Sequence, residues 1–167
     1  MLSFRPFEEK DAQTIISWIK DEFSFRQWSA DTYKDYPVKP DDIINRYKEI
    51  KNNHKDGVYL LMFTDDDNTI GHLIIRLLDK EQGLVRFGYI IVDSNLRGQG
   101  YGSKMLRQAL EFARNELSAK RVTLGVFENN QGAATCYKAV GFRQIEMNQY
   151  TINGEVWNCP EMECILD

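Results

Sequence analysis

The chain has 167 residues, of which 43% are hydrophobic and 12% aromatic, a composition that predicts one globular domain over residues 1–167 and excludes a disordered chain. Its net charge of -4 argues against a nucleic-acid-binding protein, because affinity for the phosphate backbone comes from clustered lysine and arginine. The sequence has neither a signal peptide nor an apolar run of the roughly 20 residues that span a bilayer, so we expect a cytoplasmic protein without a membrane segment.

The first half of the chain predicts one strand and two helices around an aromatic segment. Residues 2–5 alternate apolar and polar side chains up to Pro6, as a short strand does. Apolar residues recur at helical spacing over 11–20, and another helix begins at Pro40, where a proline followed by two aspartates suits a first turn. The aromatic-rich residues 21–39 between these helices predict a loop or short helices.

The second half predicts mostly strands, interrupted by two helices. Apolar runs at 58–63 and 70–78 flank a polar turn, which is typical of two antiparallel strands. The remaining elements are a strand at 86–92, a helix at 101–117, a strand at 121–127, a short helix at 133–140 that stops at Gly141, and strands at about 142–151 and 155–166 around the hairpin dipeptide Asn153-Gly154. This order predicts an α/β (α+β) fold with a mixed, mostly antiparallel sheet of about seven strands flanked by helices.

Neither the cysteines nor the histidines predict a metal site. Cys159 and Cys164 are five residues apart in a predicted strand, where an odd offset sends side chains to opposite faces. His54 and His72 lie in separate segments. No metal is therefore expected, and the odd number of cysteines, three with Cys136, fits a reducing compartment better than a disulfide framework.

A glycine-rich turn, Arg97-Gly98-Gln99-Gly100-Tyr101-Gly102, joins the strand at 86–92 to the helix at 101–117. Because glycines lack Cβ atoms, the backbone can approach a ligand closely, and the helix N-terminus offers unpaired N–H groups with partial positive charge. Such a turn suits a pyrophosphate, with Arg97 adding a charge at its edge. Taken alone, it is equally compatible with a purely structural turn.

Two other phosphate-binding motifs do not fit this turn. A Walker A loop requires glycine, lysine and then serine or threonine, whereas the order here is Gly102-Ser103-Lys104. A dinucleotide fingerprint requires a third glycine where Ser103 stands, and it lies early in a parallel βαβ unit rather than after an antiparallel meander. Both interpretations are disfavoured.

Two motifs together resemble the GNAT family of N-acetyltransferases. The pattern Arg97-x-x-Gly100-x-Gly102, after a strand that ends Ile90-Ile91-Val92, is similar to the family's acetyl-CoA pyrophosphate loop. The family's second motif is similar to Asn130-x-x-Ala133-x-x-x-Tyr137-x-x-x-Gly141-Phe142. Both motifs lie within residues 86–142, and the order of the flanking elements matches the family over nearly the whole chain.

The resemblance implies a GNAT-like fold that binds acetyl-CoA. In similar proteins, the backbone around residues matching Ile91 and Val92 pairs with the pantetheine arm, Asn130 contacts that arm, and Tyr137 stands near the sulfur. The N–H groups of residues 98–102 are expected to hold the pyrophosphate. The full cofactor-binding set expected is Ile91, Val92, Arg97, Gly98, Gln99, Gly100, Tyr101, Gly102, Ser103, Asn130, Ala133 and Tyr137.

Tyr137 is the expected general acid. Acyl transfer from a thioester to an amine needs a proton for the leaving thiolate, and a phenol with a pKa near 10 can donate to a thiolate whose conjugate acid has a pKa near 8.5. The alternative is a core aromatic residue, because Tyr137 shares a helical face with Ala133 and Ala134. The family motif favours the catalytic role.

The general base is left open between two carboxylates. Asp93 follows the strand that aligns the thioester in the family, and Glu128 follows the next strand. Family members that acetylate ribosomal-protein N-termini have a glutamate where this sequence has Gly125, which puts that mechanism in doubt here. Asp93 also suits a turn-capping role, and direct attack with water relaying the proton is a third alternative.

The acceptor is expected to bind to the first half of the chain, because the second half carries the cofactor motifs. Aromatic residues interleaved with acids favour a cationic amine, and the candidates are Trp18, Phe25, Trp28 and Tyr33, with Tyr36, Asp21, Glu22, Asp31 and Asp35 nearby. Core packing explains most of these aromatic residues equally well.

The sequence therefore predicts an enzyme that transfers an acetyl group from acetyl-CoA to a primary amine of a small molecule or a protein N-terminus. A non-catalytic acyl-CoA sensor is the alternative, and a generic nucleotide-binding domain is a third. Monomer and homodimer are both left open, with the apolar C-terminal hairpin around Trp157 as a candidate dimer surface.

Overall fold

A computed structural model of the chain describes residues 1–54 and 57–167. The elements follow in the order β1 (Leu2–Pro6), α1 (Asp11–Ser17), α2 (Glu22–Ser29), α3 (Pro40–Asn53), β2 (Val58–Asp65), β3 (Asn68–Asp79), β4 (Leu84–Val92), α4 (Tyr101–Leu117), β5 (Arg121–Gly125), α5 (Gln131–Ala139), β6 (Arg143–Ile152) and β7 (Glu155–Ile165), with a 3₁₀ turn at Ser94–Leu96.

The strands form one seven-stranded sheet in the order β1-β2-β3-β4-β5-β7-β6. The β4–β5 pair is parallel, and every other neighbouring pair in the described part of the chain is antiparallel. The predicted mixed, mostly antiparallel sheet of seven strands is confirmed. The final hairpin turns at Asn153 and Gly154, whose φ angles of 50° and 82° are both left-handed, as a two-residue hairpin loop requires.

Two predicted boundaries differ from the structure, at the ends of α1 and β5. Helix α1 ends at Ser17 rather than near residue 20, because Asp21 begins the next helix by accepting a hydrogen bond from the Ser24 N–H at 2.7 Å. That second helix, α2, lies in the segment predicted as a loop or short helices and agrees with the short-helix alternative. Strand β5 ends at Gly125 rather than residue 127, two residues beyond Thr123, where its pairing with β4 ends.

Helices cover both faces of the sheet, and neighbouring residues of β3 point into different layers. Leu73 and Ile75 are fully buried with residues of α4 and α5, whereas Ile74 is fully buried with residues of α1, α2 and α3. This alternation is the period of a strand buried on both faces. Each fully buried aliphatic side chain contributes roughly 1.5–3 kcal/mol to folding.

The sheet opens between β4 and β5, and this opening positions the site. The two strands pair only from Leu84 to Arg86. Farther along β4, Tyr89 and Ile90 form a β-bulge against β3, and Tyr89 has a left-handed φ of 52°. Because the bulge bends β4 away from β5, the two strands diverge toward their carboxyl ends.

Arg86 secures the closed end of this opening. Its guanidinium donates two hydrogen bonds to the Glu161 carboxylate on β7, at 2.6 and 3.2 Å, and a third to Thr123 Oγ1 at 3.2 Å. The pair is bidentate and only partly exposed, which is the geometry in which an ion pair orders a structure well. The divergence of β4 and β5 therefore begins from a fixed point.

Within the described ranges, no helix is both long and apolar enough to cross a membrane.

Candidate active site

The opening between β4 and β5 continues into a cavity of about 610 Å³. Such a volume lies in the range of small-molecule and cofactor sites. Its walls come from the segment after α1, α2, β4, the glycine-rich turn, α4, the segment after β5, and α5. The lining includes Ile19, Ser24, Gln27, Trp28, Tyr89, Ile90, Ile91, Val92, Arg97, Gly98, Gly100, Tyr101, Gly102, Ser103, Val126, Asn130, Gly132, Ala133, Cys136 and Tyr137.

The glycine-rich turn adopts the backbone that its sequence favours. Gly98 and Gly100 have φ angles of 79° and 84°, in the left-handed region where a side chain is strained. Gly100 is the N-cap of α4 and has no side chain to bond the first N–H groups of the helix. Those groups therefore remain available to a ligand at the positive end of a 17-residue helix.

The other predicted residues of the turn lie around this helix end. Arg97 is exposed at the edge of the cavity, and Tyr101 and Ser103 line it, whereas Gln99 is exposed outside the lining. The Ser103 hydroxyl is 3.5 Å from the Cys136 sulfur on α5. A Cβ at Gly102 would stand 3.4 Å from the same sulfur, so Gly102 lets α4 and α5 approach closely.

One edge of β4 beyond Arg86 faces the cavity without a strand partner in the described chain. Ile91 and Val92 pair with β3 on the other edge, at His72 and Gly71. The Ile91 side chain is 5% exposed and packs with core residues of α1 and β2. The backbone N–H and C=O groups on the open edge can therefore hydrogen-bond an extended ligand, much as a further strand would.

Asn130 and Tyr137 come from the opposite wall of the cavity. Asn130 is the N-cap of α5, where its Oδ1 accepts a hydrogen bond from the Ala133 N–H at 3.4 Å. Tyr137 is 7% exposed and packs against Phe142 with ring centroids 6.2 Å apart. Burial, with a smaller contribution from Cys136, raises the pKa of Tyr137 well above its usual value near 10. The phenol therefore keeps its proton at neutral and moderately alkaline pH.

Neither candidate base lines the cavity. The Asp93 carboxylate caps the 3₁₀ turn by accepting a hydrogen bond from the Asn95 N–H at 2.9 Å. Glu128 is exposed and accepts a hydrogen bond from Asn158 Nδ2 at 3.4 Å. Among the residues that line the cavity in the described ranges, there is no carboxylate and no imidazole, and Arg97 is the one side chain with a permanent charge.

Of the four predicted acceptor residues, Trp28 lies at the cavity surface. Phe25 is fully buried, and Trp18 and Tyr33 are 4% and 7% exposed in the core behind it. Tyr33 stacks on Trp28, with ring planes 14° apart, and so supports that wall from inside. Trp18, Phe25 and Tyr33 are therefore core residues that support the cavity wall and do not line the cavity.

Several cavity residues were not singled out from the sequence. Tyr89 is inside an apolar run that predicts only a strand, and its exposure depends on the bulge. Gln27 donates hydrogen bonds from Nε2 to the Asn129 carbonyl and Oδ1, at 3.2 and 3.1 Å, across the opening. These partners are 102 residues apart, so no local pattern could have indicated the contact. For Cys136, the sequence offered one indication of a place in the cavity, namely its position next to Tyr137 in the second motif.

The diverging strands, the glycine-rich helix entrance and the tyrosine-bearing wall form one site, and comparison with known families identifies the class of protein to which this fold and site belong. The model of the acetyltransferase (GNAT) domain matches residues 1–143. The chain belongs to this family.

Individual relatives match over shorter segments. The L-amino acid N-acetyltransferase AaaT of Escherichia coli is 33% identical over 88 residues, covering 52% of this chain and 54% of that protein. The spermine/spermidine N(1)-acetyltransferase of Bacillus subtilis is 32% identical over 65 residues, covering 39% of this chain and 43% of that protein. These matches span about half the length of each of the two relatives.

A solved structure shares the whole architecture. The spermidine N-acetyltransferase from Vibrio cholerae, determined with CoA and spermine, superimposes with a TM-score of 0.81 over 98% of this chain and 95% of its own. Its sequence identity is 20%, so the likeness establishes the fold.

Proposed function

We propose that this protein is an N-acetyltransferase that transfers an acetyl group from acetyl-CoA to a primary amine of a small molecule or a protein N-terminus. The observation that carries the proposal is the cavity, which joins an unpaired strand edge and an uncapped helix N-terminus on one wall to the buried Tyr137 on the other. Relatives that acetylate amino acids and polyamines support the same class of reaction.

The residues present fit acetyl-CoA. In the proposal, the open edge of β4 at Ile91 and Val92 holds the pantetheine arm, and Asn130 and Ala133 contact it from α5. The N–H groups from Gly98 to Ser103 hold the pyrophosphate. Apart from each glycine and its two chain neighbours, no atom of the described residues lies within 4 Å of the position that a Cβ would take at Gly98 or Gly100, so the turn leaves room for the phosphates. Arg97 adds a positive charge at the mouth.

When bound, acetyl-CoA supplies the acetyl group as a thioester. Tyr137 serves as the general acid, because it lines the cavity and burial keeps its hydroxyl protonated. Trp28 and Tyr89 form the acceptor side of the cavity, with ring centroids 5.8 Å apart in an edge-to-face arrangement.

We infer that the amine attacks in its neutral form and that water carries its proton away, with Asp93 and Glu128 as the candidate final acceptors of that proton. The absence of a carboxylate or imidazole from the described lining supports this route over direct proton abstraction. Either carboxylate could reach the reacting nitrogen only through intervening water.

Release of the CoA thiol, measured with amino acids, alkyl amines, polyamines, aminoglycosides and peptides as acceptors, tests the proposal. We expect turnover with at least one primary amine, and kcat/KM should rise with pH as that amine loses its proton. Asp93→Asn and Glu128→Gln should each retain kcat/KM within about fivefold, whereas a loss of about a hundredfold at either would assign it as the general base. Tight acetyl-CoA binding without turnover on any acceptor would favour the acyl-CoA sensor instead.

The remaining proposals concern the setting of the enzyme. We propose one acetyltransferase domain over residues 1–167, acting in the cytoplasm as a monomer or homodimer and not on nucleic acid. Three free thiols support the reducing compartment, and a net charge of -4 argues against nucleic acid as a partner.

A further inference from the structure

Three aromatic rings are accessible where α2 meets the β6–β7 hairpin. Phe23 is 52% exposed and Tyr150 is 38% exposed, which is unusual for such large apolar side chains, and Trp157 is half-buried between them. We call Phe23, Tyr150 and Trp157 the aromatic seam. Neither cofactor motif includes these residues.

The seam is held in a fixed arrangement by the buried Phe127. The Phe127 ring packs edge-to-face against Trp157 at 5.1 Å and against Tyr150 at 5.8 Å. Phe23 then packs edge-to-face against Trp157 at 5.5 Å. Because each ring is oriented by a neighbour, the exposed faces form a preorganised surface.

Two carboxylates border this surface. The Glu155 carboxylate accepts a hydrogen bond from Trp157 Nε1 at 3.4 Å, and the Glu22 carboxylate accepts one from Asn153 Nδ2 at 3.5 Å. In residues 1–54 and 57–167, neither of these carboxylates forms an ion pair, so their negative charges are not neutralised by the chain itself.

The seam lies near the cavity on two elements that both sites share. Helix α2 carries Phe23 at one end, and Ser24 and Gln27 of the same helix line the cavity, so the two sites are about one helical turn apart. On the other wall, Val126 lines the cavity and Phe127 underlies the seam. The hydrogen bonds from Gln27 to Asn129 join the two walls at the same place.

We propose that the aromatic seam binds a second cationic group of an extended amine acceptor while the reacting amine lies in the cavity. Aromatic faces and unneutralised carboxylates attract an ammonium group and repel an anion, and an apolar ligand would not use the carboxylates. The described lining of the cavity has no carboxylate, so the carboxylates beside the seam are the negative charges that can bind the second ammonium group of a dication. The assignment rests on the proposed function for the identity of the ligand as an acceptor.

Binding can be measured without turnover, through the indole N–H resonance of Trp157 in the ¹⁵N-labelled full chain, assigned with Trp157→Phe. A linear alkyl diamine and the alkyl monoamine of the same length are titrated at neutral pH. We expect the diamine to bind roughly 2- to 30-fold more tightly than the monoamine, the range of a cation–π contact. Phe23→Ala should reduce this ratio toward one, and Glu155→Gln should reduce it most at low salt, where the carboxylate is least screened.

Matched controls lie at the far end of the sheet. Leu78→Ala removes a comparably exposed apolar side chain, and Glu81→Gln removes an exposed carboxylate in the β3–β4 turn, so both should keep the wild-type ratio. Because the ratio compares two ligands on one variant, a small loss of folded protein cancels. Equal affinities in the wild type, or an unchanged ratio in Phe23→Ala, would overturn the assignment. A protein that binds diamines at the seam but acetylates no amine would instead refute the proposed function alone.

Discussion

Tyr137 illustrates how the fold changes the chemistry of one side chain. The phenol lies on α5 with little exposure, and burial raises its pKa, so it can donate a proton over the whole neutral range but cannot act as a base there. A residue that enters the reaction protonated matches the need of a departing thiolate. The same burial makes Tyr137 part of the core, as the alternative interpretation of the sequence expects, and its catalytic role stays a prediction.

Substituting Tyr137 by phenylalanine should separate these two roles. Tyr137→Phe keeps the ring and its contact with Phe142 but removes the proton, so we expect kcat to fall by about 10²- to 10⁴-fold with little change in the affinity for acetyl-CoA. Steady-state kinetics of thiol release and calorimetry of acetyl-CoA binding measure the two effects.

Tyr59→Phe is the matched control for that variant, because Tyr59 packs against Phe112 away from the cavity. It should leave both quantities near their wild-type values. If Tyr137→Phe turns over within about twofold of the wild type, the assignment of the general acid is wrong.

At the scale of one element, the entrance to α4 determines the cofactor site. The first turn of this helix has no side-chain cap, and glycine at the N-cap stabilises a helix less than serine, threonine or aspartate does by about a few tenths of a kcal/mol. Gly100 at the N-cap keeps the N–H groups free and holds the left-handed backbone that directs the chain into the helix. Binding of a pyrophosphate would supply the missing acceptors.

Gly100→Ala tests this arrangement because the added Cβ meets no atom within 4 Å and acts through the backbone alone. An L-residue in the left-handed region costs roughly 1–2 kcal/mol, so we expect that loss in the free energy of unfolding. If the turn relaxes to relieve the strain, at least one hydrogen bond to a charged phosphate is lost, and the dissociation constant for CoA should rise about tenfold or more. Urea denaturation and calorimetry measure the two effects.

Gly154→Ala is the matched control, because it introduces the same backbone strain at a turn that is not part of the proposed CoA site. Gly154 has a φ of 82° in the β6–β7 turn, and a Cβ there also meets nothing within 4 Å. Its unfolding free energy should fall by a similar amount while the affinity for CoA stays unchanged. An equal loss of CoA affinity in both variants would show that general destabilisation, and not the shape of the turn, weakens binding.

At the scale of the whole molecule, His72 couples stability to pH. The ring is fully buried in β3, where Nδ1–H donates to the Leu61 carbonyl at 2.9 Å and Nε2 accepts from the Tyr47 hydroxyl at 2.8 Å. Both bonds suit the neutral ring, and burial lowers the pKa of His72 to about 4. The unfolded chain, with an ordinary histidine pKa near 6.5, therefore binds more protons than the folded chain between these values.

The free energy of unfolding should consequently fall as the pH drops from about 6.5 toward 4, by roughly 3 kcal/mol from this residue. Urea denaturation at a series of pH values measures the slope. His72→Gln should flatten the slope over this window even if it lowers stability at neutral pH, whereas His54→Gln, which removes the other histidine, should retain it. A slope that survives in His72→Gln would assign the pH dependence to other groups.

Local patterns in the sequence determined the elements and the cofactor end of the fold. The 101–117 helix, the Asn153-Gly154 hairpin and the uncapped glycine-rich turn follow from side-chain period and from backbone preferences of a few neighbouring residues, which act whatever the rest of the chain does. The family motifs added the expected roles of Asn130 and Tyr137, and the structure brings both to one cavity.

Tertiary structure alone decided the acceptor side. The bulge at Tyr89 opens the sheet, Phe25 becomes core while Trp28 faces the cavity, and Phe23 meets Trp157 across more than 130 residues of sequence. Asp93 and Glu128 follow the expected strands, but their side chains bond neighbours outside the cavity lining. Which aromatic or acidic residue faces a ligand depends on how distant elements pack, and a one-dimensional pattern of apolar and polar residues does not contain that information.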